Sequence, residues 1–180
     1  MAKIVEKELK YEEVAIDSVS KMMTELFPEE ERSSMEELLE ISRSTNSKFN
    51  VYYVANEVCG FSFVIHKYGL IFVYYLAVNK QYQSMGYGTE IFNCIKRKEP
   101  NAILILNIEP LDEAAENYCQ RVRRFNFYKK NGLNLTDFFL CHEGVEYQVL
   151  ASDNSLNITN YKLLLEEISE EYKQSKLYTK

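Results

Sequence analysis

A mixed, mostly antiparallel sheet of about seven strands with helices on both faces is the fold this sequence predicts, α/β in class and α+β by some conventions. Three observations carry that expectation. Helical spacing fills the region from Tyr11 to Ser44 and gives way at Asn50 to three extended runs separated by short turns. The third run, Leu70 to Val78, is apolar on both faces and leads directly into a glycine-containing loop and a helix. After Pro100 a second two-sided apolar strand, a helix and a closing hairpin follow in that order.

Ile4 to Leu9 alternates as a short first strand. Val14, Ile16, Val19, Met22, Met23 and Leu26 then recur at helical steps and make one apolar stripe. Pro28 suits the first turn of a second helix, where Glu29, Glu30 and Glu31 complement its positive end, and Met35, Leu38, Leu39 and Ile41 supply its buried face. Val51 to Ala55, Val58 to His66 and Leu70 to Val78 are strands, with turns at Asn56-Glu57 and Tyr68-Gly69. Connections this short make them antiparallel neighbours, and the two-sided third strand belongs inside the sheet. Gly86 to Lys98 is a helix with Ile91, Phe92 and Ile95 inward, stopped by Pro100. Ala102 to Ile108 is a strand, and a helix from about Asp112 to Lys130 stops at Asn131-Gly132, where glycine accepts the left-handed conformation. Leu133 to Leu140 and Val145 to Leu150 form the closing hairpin through Cys141 to Gly144. Asn160 to Tyr172 is an amphipathic terminal helix. The expected organisation is one domain over residues 1–150 and a C-terminal extension over 151–180.

Composition narrows the function classes. With 46% hydrophobic and 27% charged residues the chain has globular composition, which argues against a largely disordered one. A formal charge of −6 opposes long-range attraction to nucleic acid or to an anionic membrane, and a cationic substrate is easier to reconcile with that field. No apolar run approaches a membrane span, and the N-terminal residues lack the apolar segment of a signal peptide, so the expected location is the cytoplasm. Cys59, Cys94, Cys119 and Cys141 contain no Cys-x-x-Cys pair. They read as reduced thiols, no metal is expected, and nothing in their spacing favours a Cys-His nucleophile with His66 or His142.

The loop after the third strand carries the chemistry. At a strand-to-helix junction, successive backbone N–H groups lack intrahelical partners and point outward, forming an anion cradle. Gly86 and Gly88 let the chain bend and let a ligand approach closely. The natural guest is a pyrophosphate. A Walker loop is excluded by the letters, and a dinucleotide fingerprint needs a third glycine where this chain has Ile91. The segment Gln83, Ser84, Met85, Gly86, Tyr87, Gly88 instead resembles the cofactor signature of the GNAT acetyltransferase superfamily, Gln/Arg-x-x-Gly-x-Gly/Ala after the central strand. Phe127, Tyr128, Gly132 and Leu133 resemble the family's Phe-Tyr-x-x-x-Gly-Phe, and the element order agrees from Ile4 to Leu150. One departure stands out: Arg121 and Arg124 occupy positions where the family often has Asn and Ala, and the stretch between Glu109 and Tyr128 is longer than usual.

The resemblance implies acetyl-coenzyme A as co-substrate and a small-molecule amine or a protein amino group as acceptor, with no nucleic-acid or membrane partner and room for a homodimer. In the family the fourth and fifth strands splay and pantetheine lies against the backbone, here Leu76, Ala77 and Val78, with the Val78 N–H facing the developing oxyanion. The phosphates then fall to Gln83 through Thr89. Tyr128 is the implied proton donor to the departing thiolate, since a phenol stays protonated at neutral pH. Glu109, at the end of its strand, reads either as a base for the amine or as an exposed strand terminus. Glu29 and Glu30 line the acceptor cleft by resemblance or simply complement a helix start. Asn117, Arg121, Arg124 and Tyr128 share one helical face. Asn117 and the arginines are expected to contact the cofactor, the arginines at its phosphate; the arginines also read as contacts to a substrate carboxylate or as partners of Glu113 and Glu116. A catalytically degenerate acyl-coenzyme A sensor or assembly module is the alternative to an enzyme.

Overall fold

Three turns built from consecutive left-handed residues set the sheet: Ala55 and Asn56 (φ 49° and 70°), Tyr68 and Gly69 (54° and 74°), and Glu143 and Gly144 (50° and 81°). Positive φ at both central residues gives the primed turn whose twist matches that of paired strands. In this computed structural model residues 3–9, 13–43 and 46–180 are described, with the side chains of Glu13, Val14 and Glu30 left aside. Tyr11 and Ser44, the limits of the predicted helical region, therefore lie outside the described residues.

The strands are β1 (Val5–Glu8), β2 (Ser47–Val54), β3 (Glu57–Lys67), β4 (Leu70–Val78), β5 (Ile103–Ile108), β6 (Asn134–His142), β7 (Val145–Ala151) and β8 (Lys176–Thr179). They lie in the order β1-β2-β3-β4-β5-β7-β6-β8. β4 and β5 run parallel, pairing Leu70 to Phe72 with Ile103 to Ile105. The mixed, mostly antiparallel α/β fold is the one the sequence predicts. An eighth strand joins it, because β8 pairs Lys176 to Thr179 with Cys141 to Phe138 of β6. The helices are α1 (Glu13–Leu26), α2 (Met35–Ser42), α3 (Tyr87–Lys98), α4 (Tyr118–Lys130), α5 (Ile158–Glu166) and α6 (Glu170–Lys173).

One compact unit comprises the chain up to His66 together with Val73–Pro100. Its core is aromatic: Phe49, Phe61, Phe63 and Phe92 are fully buried, and the Phe49 and Phe63 rings meet edge to face at 5.3 Å. Tyr52 is buried with them, its hydroxyl 3.0 Å from Ser62 Oγ, so two buried polar groups satisfy each other. The second helix begins later than predicted. Ser34 Oγ accepts from the Glu37 N–H at 3.1 Å while the Glu37 carboxylate accepts from the Ser34 N–H at 2.7 Å. This capping box starts α2 at Met35 and leaves Glu29–Glu31 as one 3₁₀ turn.

The other unit comprises Lys67–Phe72 and Asn101–Lys180. Ile71, Phe72, Leu104, Ile105, Val149 and Leu150 fill its core beside Tyr161. The Tyr161 ring meets Phe72 at 5.5 Å and its hydroxyl donates to Asn107 Oδ1 at 2.8 Å. Here α4 begins at Tyr118, later than the predicted Asp112, because Asp112 bonds its own following backbone: Oδ1 accepts from the Ala114 N–H at 2.9 Å. The predicted terminal helix divides into α5 and α6 with a turn at Glu167. Lys67 and Tyr68 both bond the Glu167 carboxylate, which ties the β3–β4 turn to the end of α5.

Candidate active site

The glycine loop belongs to the first unit. At the end of β4 the Asn79 N–H donates to the Cys59 carbonyl at 2.8 Å, and Asn79 Oδ1 accepts from the Gln81 N–H at 3.3 Å to open a short 3₁₀ turn, Lys80–Tyr82. Gln83 then folds back: its Nε2 donates to the Val78 carbonyl at 3.0 Å and closes the loop. Ser84 (φ 63°) and Gly86 (φ 88°) are both left-handed, and Gly86 is the N-cap of α3. Gln83 to Gly86 are exposed, so the first-turn amides of α3 present an open cradle for an anion. The Tyr87 side chain is buried against Tyr82, ring centroids 5.6 Å apart, so it anchors the helix start and offers a ligand only backbone.

Leu76 and Val78 are half-buried, and Ala77 is buried. Gly60 explains how β3 packs so closely here, since a Cβ on it would lie 2.5 Å from the Ala77 carbonyl oxygen. An open groove of about 440 Å³ beside the loop is lined by Lys7, Tyr53, Asn56, Glu57, Asn79 and Gln81 among others.

Glu29 is placed at the surface, its side chain 94% exposed and 4.0 Å from Arg32. The Glu30 side chain lies outside the described residues. What sequence reasoning missed in this region is a hydroxyl cluster. Tyr75 Oη donates to the Glu31 carbonyl at 2.5 Å and accepts from the Ser33 N–H at 2.9 Å, and Ser33 Oγ lies 3.4 Å from both Tyr74 Oη and Tyr75 Oη. Burial pushes the Tyr75 phenol up to about 12. The signal was a pair of polar-tipped residues in an otherwise apolar strand.

The second unit gathers Glu109, Asn117, Arg121 and Arg124. Arg121 donates through Nε to Asn117 Oδ1 at 2.6 Å and through Nη1 to the Pro110 carbonyl at 2.9 Å, and its Nη2 pairs with Glu109 Oε1 at 2.9 Å. Arg124 pairs with Glu109 Oε2, and Asn117 Nδ2 approaches the same carboxylate at 3.3 Å. Glu109 is therefore neither an exposed terminus nor open to solvent, being only 14% exposed, and the arginines pair with it rather than with Glu113 or Glu116.

Tyr128 lies one turn beyond Arg124 and is half-buried. Its position is fixed by the helix end: the Leu133 N–H donates to the Tyr128 carbonyl at 3.1 Å and the Gly132 N–H to the Lys129 carbonyl at 3.0 Å, with Gly132 at φ 87°. This is the paired C-terminal motif that needs a left-handed residue. Burial raises the Tyr128 phenol above its ordinary value, against the opposing charge of Arg124. It therefore holds its proton throughout the neutral range.

A family model described as the acetyltransferase (GNAT) family matches residues 16–125. The chain belongs to that family. Membership makes this chain an acetyltransferase. No curated protein matches it in sequence. Among solved structures, a GNAT-family protein from Bacteroides thetaiotaomicron is similar with a TM-score of 0.72 at 20% identity, covering 91% of this chain and 95% of that one. An aminoglycoside 6′-N-acetyltransferase complexed with coenzyme A gives 0.64 at 18%, covering 82% and 95%. A ribosomal-protein-S18-alanine N-acetyltransferase from Escherichia coli gives 0.60 at 12%, covering 86% and 99%. Identities this low show a shared fold alone. Among the described residues no helix of this acetyltransferase is long and apolar enough to cross a membrane, and no three His, Cys, Asp or Glu side chains are grouped to hold a metal ion.

Proposed function

We propose that this acetyltransferase uses acetyl-coenzyme A to acetylate a primary amine of a small molecule or a protein. The carrying observation is the loop: Gly86 left-handed at the N-cap of α3, flanked by exposed residues and closed by Gln83 on Val78, inside the stretch matched by the family. Acetyl-coenzyme A supplies an activated acetyl thioester. The chain's own part is to bind phosphate on the amides from Gly86 to Thr89, to present the backbone of Leu76 to Val78, and to hold a proton on Tyr128. Neighbours whose names specify aminoglycosides or a ribosomal protein alanine are consistent with an amine acceptor.

Glu109 takes a different role from that of a base. Both its oxygens meet guanidinium groups, so it serves better as the positioning residue for Arg121 and Arg124.

Thermal melting with coenzyme A tests this reading. A ligand at about 100 times its Kd adds roughly 2.7 kcal/mol, which for a chain of this size raises the melting temperature by about 5–11 °C. Gly86→Val should still melt cooperatively yet lose that rise, because a branched side chain is strained at this φ and fills the cradle. An unchanged melting temperature of the wild type in millimolar coenzyme A overturns the proposal. The acceptor is then sought with an amine panel by following thiol release.

A further inference from the structure

Two tyrosines frame the cofactor loop. Between Tyr82 and Tyr87 stand Gln83, Ser84, Met85 and Gly86, all exposed, while Tyr82 is half-buried and Tyr87 buried. The two rings meet edge to face with their planes at 88°, so the chain leaves the 3₁₀ turn and enters α3 across one aromatic contact. Within that span Ser84 holds a left-handed backbone (φ 63°) without being glycine, and Gly86 holds another (φ 88°). A non-glycine residue in that region costs free energy and persists only where its surroundings over-determine it. One restraint is the Gln83 side chain on the Val78 carbonyl. The tyrosine pair is another, and it needs an anchor of its own, because Tyr82 ends a turn of only three residues.

Glu57 is that anchor. Its Oε2 accepts from Tyr82 Oη at 2.7 Å and from Gln81 Nε2 at 3.4 Å, joining the first residue of β3 to two residues of the turn. The bond to the carboxylate raises the Tyr82 phenol above its ordinary value, so Tyr82 remains a donor throughout the neutral range. β3 is a firm base, since the Asn79 N–H bonds the Cys59 carbonyl two residues further along it. A carboxylate is otherwise out of place here. Its charge repels a pyrophosphate approaching the adjoining loop, so its use lies in what it holds.

We infer that Glu57 and Tyr82 are positioning residues for coenzyme A: the carboxylate holds the phenol, the phenol's ring holds Tyr87, and the first-turn amides of α3 are thereby set for phosphate before the cofactor arrives. This rests on the acetyltransferase reading for the identity of the ligand, while the clasp itself can be tested in the free protein. The signs of the effects separate it from other roles. Acting by charge alone, Glu57 would repel the phosphates, and both Glu57→Gln and Glu57→Ala would tighten binding. Supporting only the fold, it would change the melting temperature and leave affinity alone. Coenzyme A is titrated calorimetrically at constant ionic strength. Tyr82→Phe keeps the ring and should weaken binding by roughly 3-fold to 10-fold, the worth of one exposed hydrogen bond. Glu57→Ala should weaken it too, whereas Glu57→Gln, whose amide oxygen still accepts from the phenol, should stay within about twofold of wild type. The double variant Glu57→Ala with Tyr82→Phe should match Glu57→Ala within about twofold, because the two residues act as one unit. Tighter binding in Glu57→Ala, additive losses in the double variant, or Tyr82→Phe binding as wild type does would each overturn the inference. In the free ¹⁵N-labelled protein the backbone order parameters from Ser84 to Gly86 should stand near the rigid value of about 0.85 and fall in Tyr82→Phe and Glu57→Ala. Unchanged values there also overturn it. Failure of coenzyme A to raise the wild-type melting temperature would instead count against the acetyltransferase reading, with the order parameters still deciding whether the clasp exists.

Discussion

Gly60→Ala adds one methyl group where β3 meets β4, and its cost can be worked from the distances. The new Cβ would lie 2.5 Å from the Ala77 carbonyl oxygen and 2.8 Å from Ile91 Cδ1. The Ile91 contact involves a side-chain end, although Ile91 is fully buried and has little room to turn. The carbonyl is hindered from turning aside, because the next peptide, Val78–Asn79, is held through both of its groups: the Asn79 N–H on Cys59 at 2.8 Å and the Val78 carbonyl on Gln83 at 3.0 Å. Overpacking of this kind costs about 1–3 kcal/mol, while removing a glycine from the unfolded chain returns about 0.4–1 kcal/mol. The clash wins, leaving roughly 1–2 kcal/mol of destabilisation, or a melting temperature about 2–8 °C lower for a chain of this size. The strain falls on Ala77 and Val78, so coenzyme A should also bind more weakly. Gly144→Ala is the matched control: nothing lies within 4 Å of its Cβ, so its only penalty is the left-handed φ of 81°, with cofactor affinity unchanged. Calorimetric melting and coenzyme A titration of both variants decide the matter. If Gly60→Ala melts within about 1 °C of wild type and binds coenzyme A equally well, β4 yields freely and the account of a rigid strand end is wrong.

Tyr128→Phe keeps the ring and removes the hydroxyl, so turnover should fall by on the order of 10-fold to 1000-fold while coenzyme A affinity changes by well under ~10-fold; turnover within about twofold of wild type would assign the proton to another group. His142 stacks on Tyr172 with ring centroids 3.9 Å apart, its Nδ1 lies 2.7 Å from Ser175 Oγ, and burial lowers its pKa, opposed by Glu143 and Glu171. The unfolded chain therefore binds a proton first as pH falls below about 6.5, so the stability tied to this histidine is complete above that pH and declines below it. Melting temperatures from pH 7.5 to about 5 should fall more steeply for wild type than for His142→Phe, and parallel curves would dismiss the effect.

How far these features could be read from the letters depended on the range of the physics behind them. The hairpin turns rest on local rules and were legible to within a residue, the first being Ala55-Asn56 rather than Asn56-Glu57, whereas β2 begins at Ser47, before the predicted Val51, and β6 runs to His142, beyond the predicted Leu140. The start of α2 was equally local but was assigned to Pro28, although Ser34 and Glu37 stand at capping-box spacing and their reciprocal bonds define the helix start. β8 was not legible, because a strand of four residues has too little periodicity and its partner β6 is more than thirty positions away. The partner of Arg121 and Arg124 was misjudged for a related reason. Periodicity along α4 points to nearby Glu113 and Glu116, whereas the irregular backbone from Pro110 to Asn117 returns the chain so that Glu109 meets both.

The hairpin turns also show where this acetyltransferase could be strengthened before an acceptor screen. Ala55, Asn56, Tyr68 and Glu143 hold left-handed backbone without being glycine. An L-residue gives up roughly 1–2 kcal/mol there, less for asparagine, which tolerates that conformation. Substituting asparagine for Ala55 and glycine for Asn56 would create the dipeptide such turns favour, at a tip remote in sequence from Gln83 to Gly88 and from Tyr128. Tyr68 is a poorer choice, because its hydroxyl is bonded to Glu167. A protein stabilised at such a turn could tolerate the cosolvents and long incubations that poorly soluble candidate amines demand, with its catalytic side chains untouched.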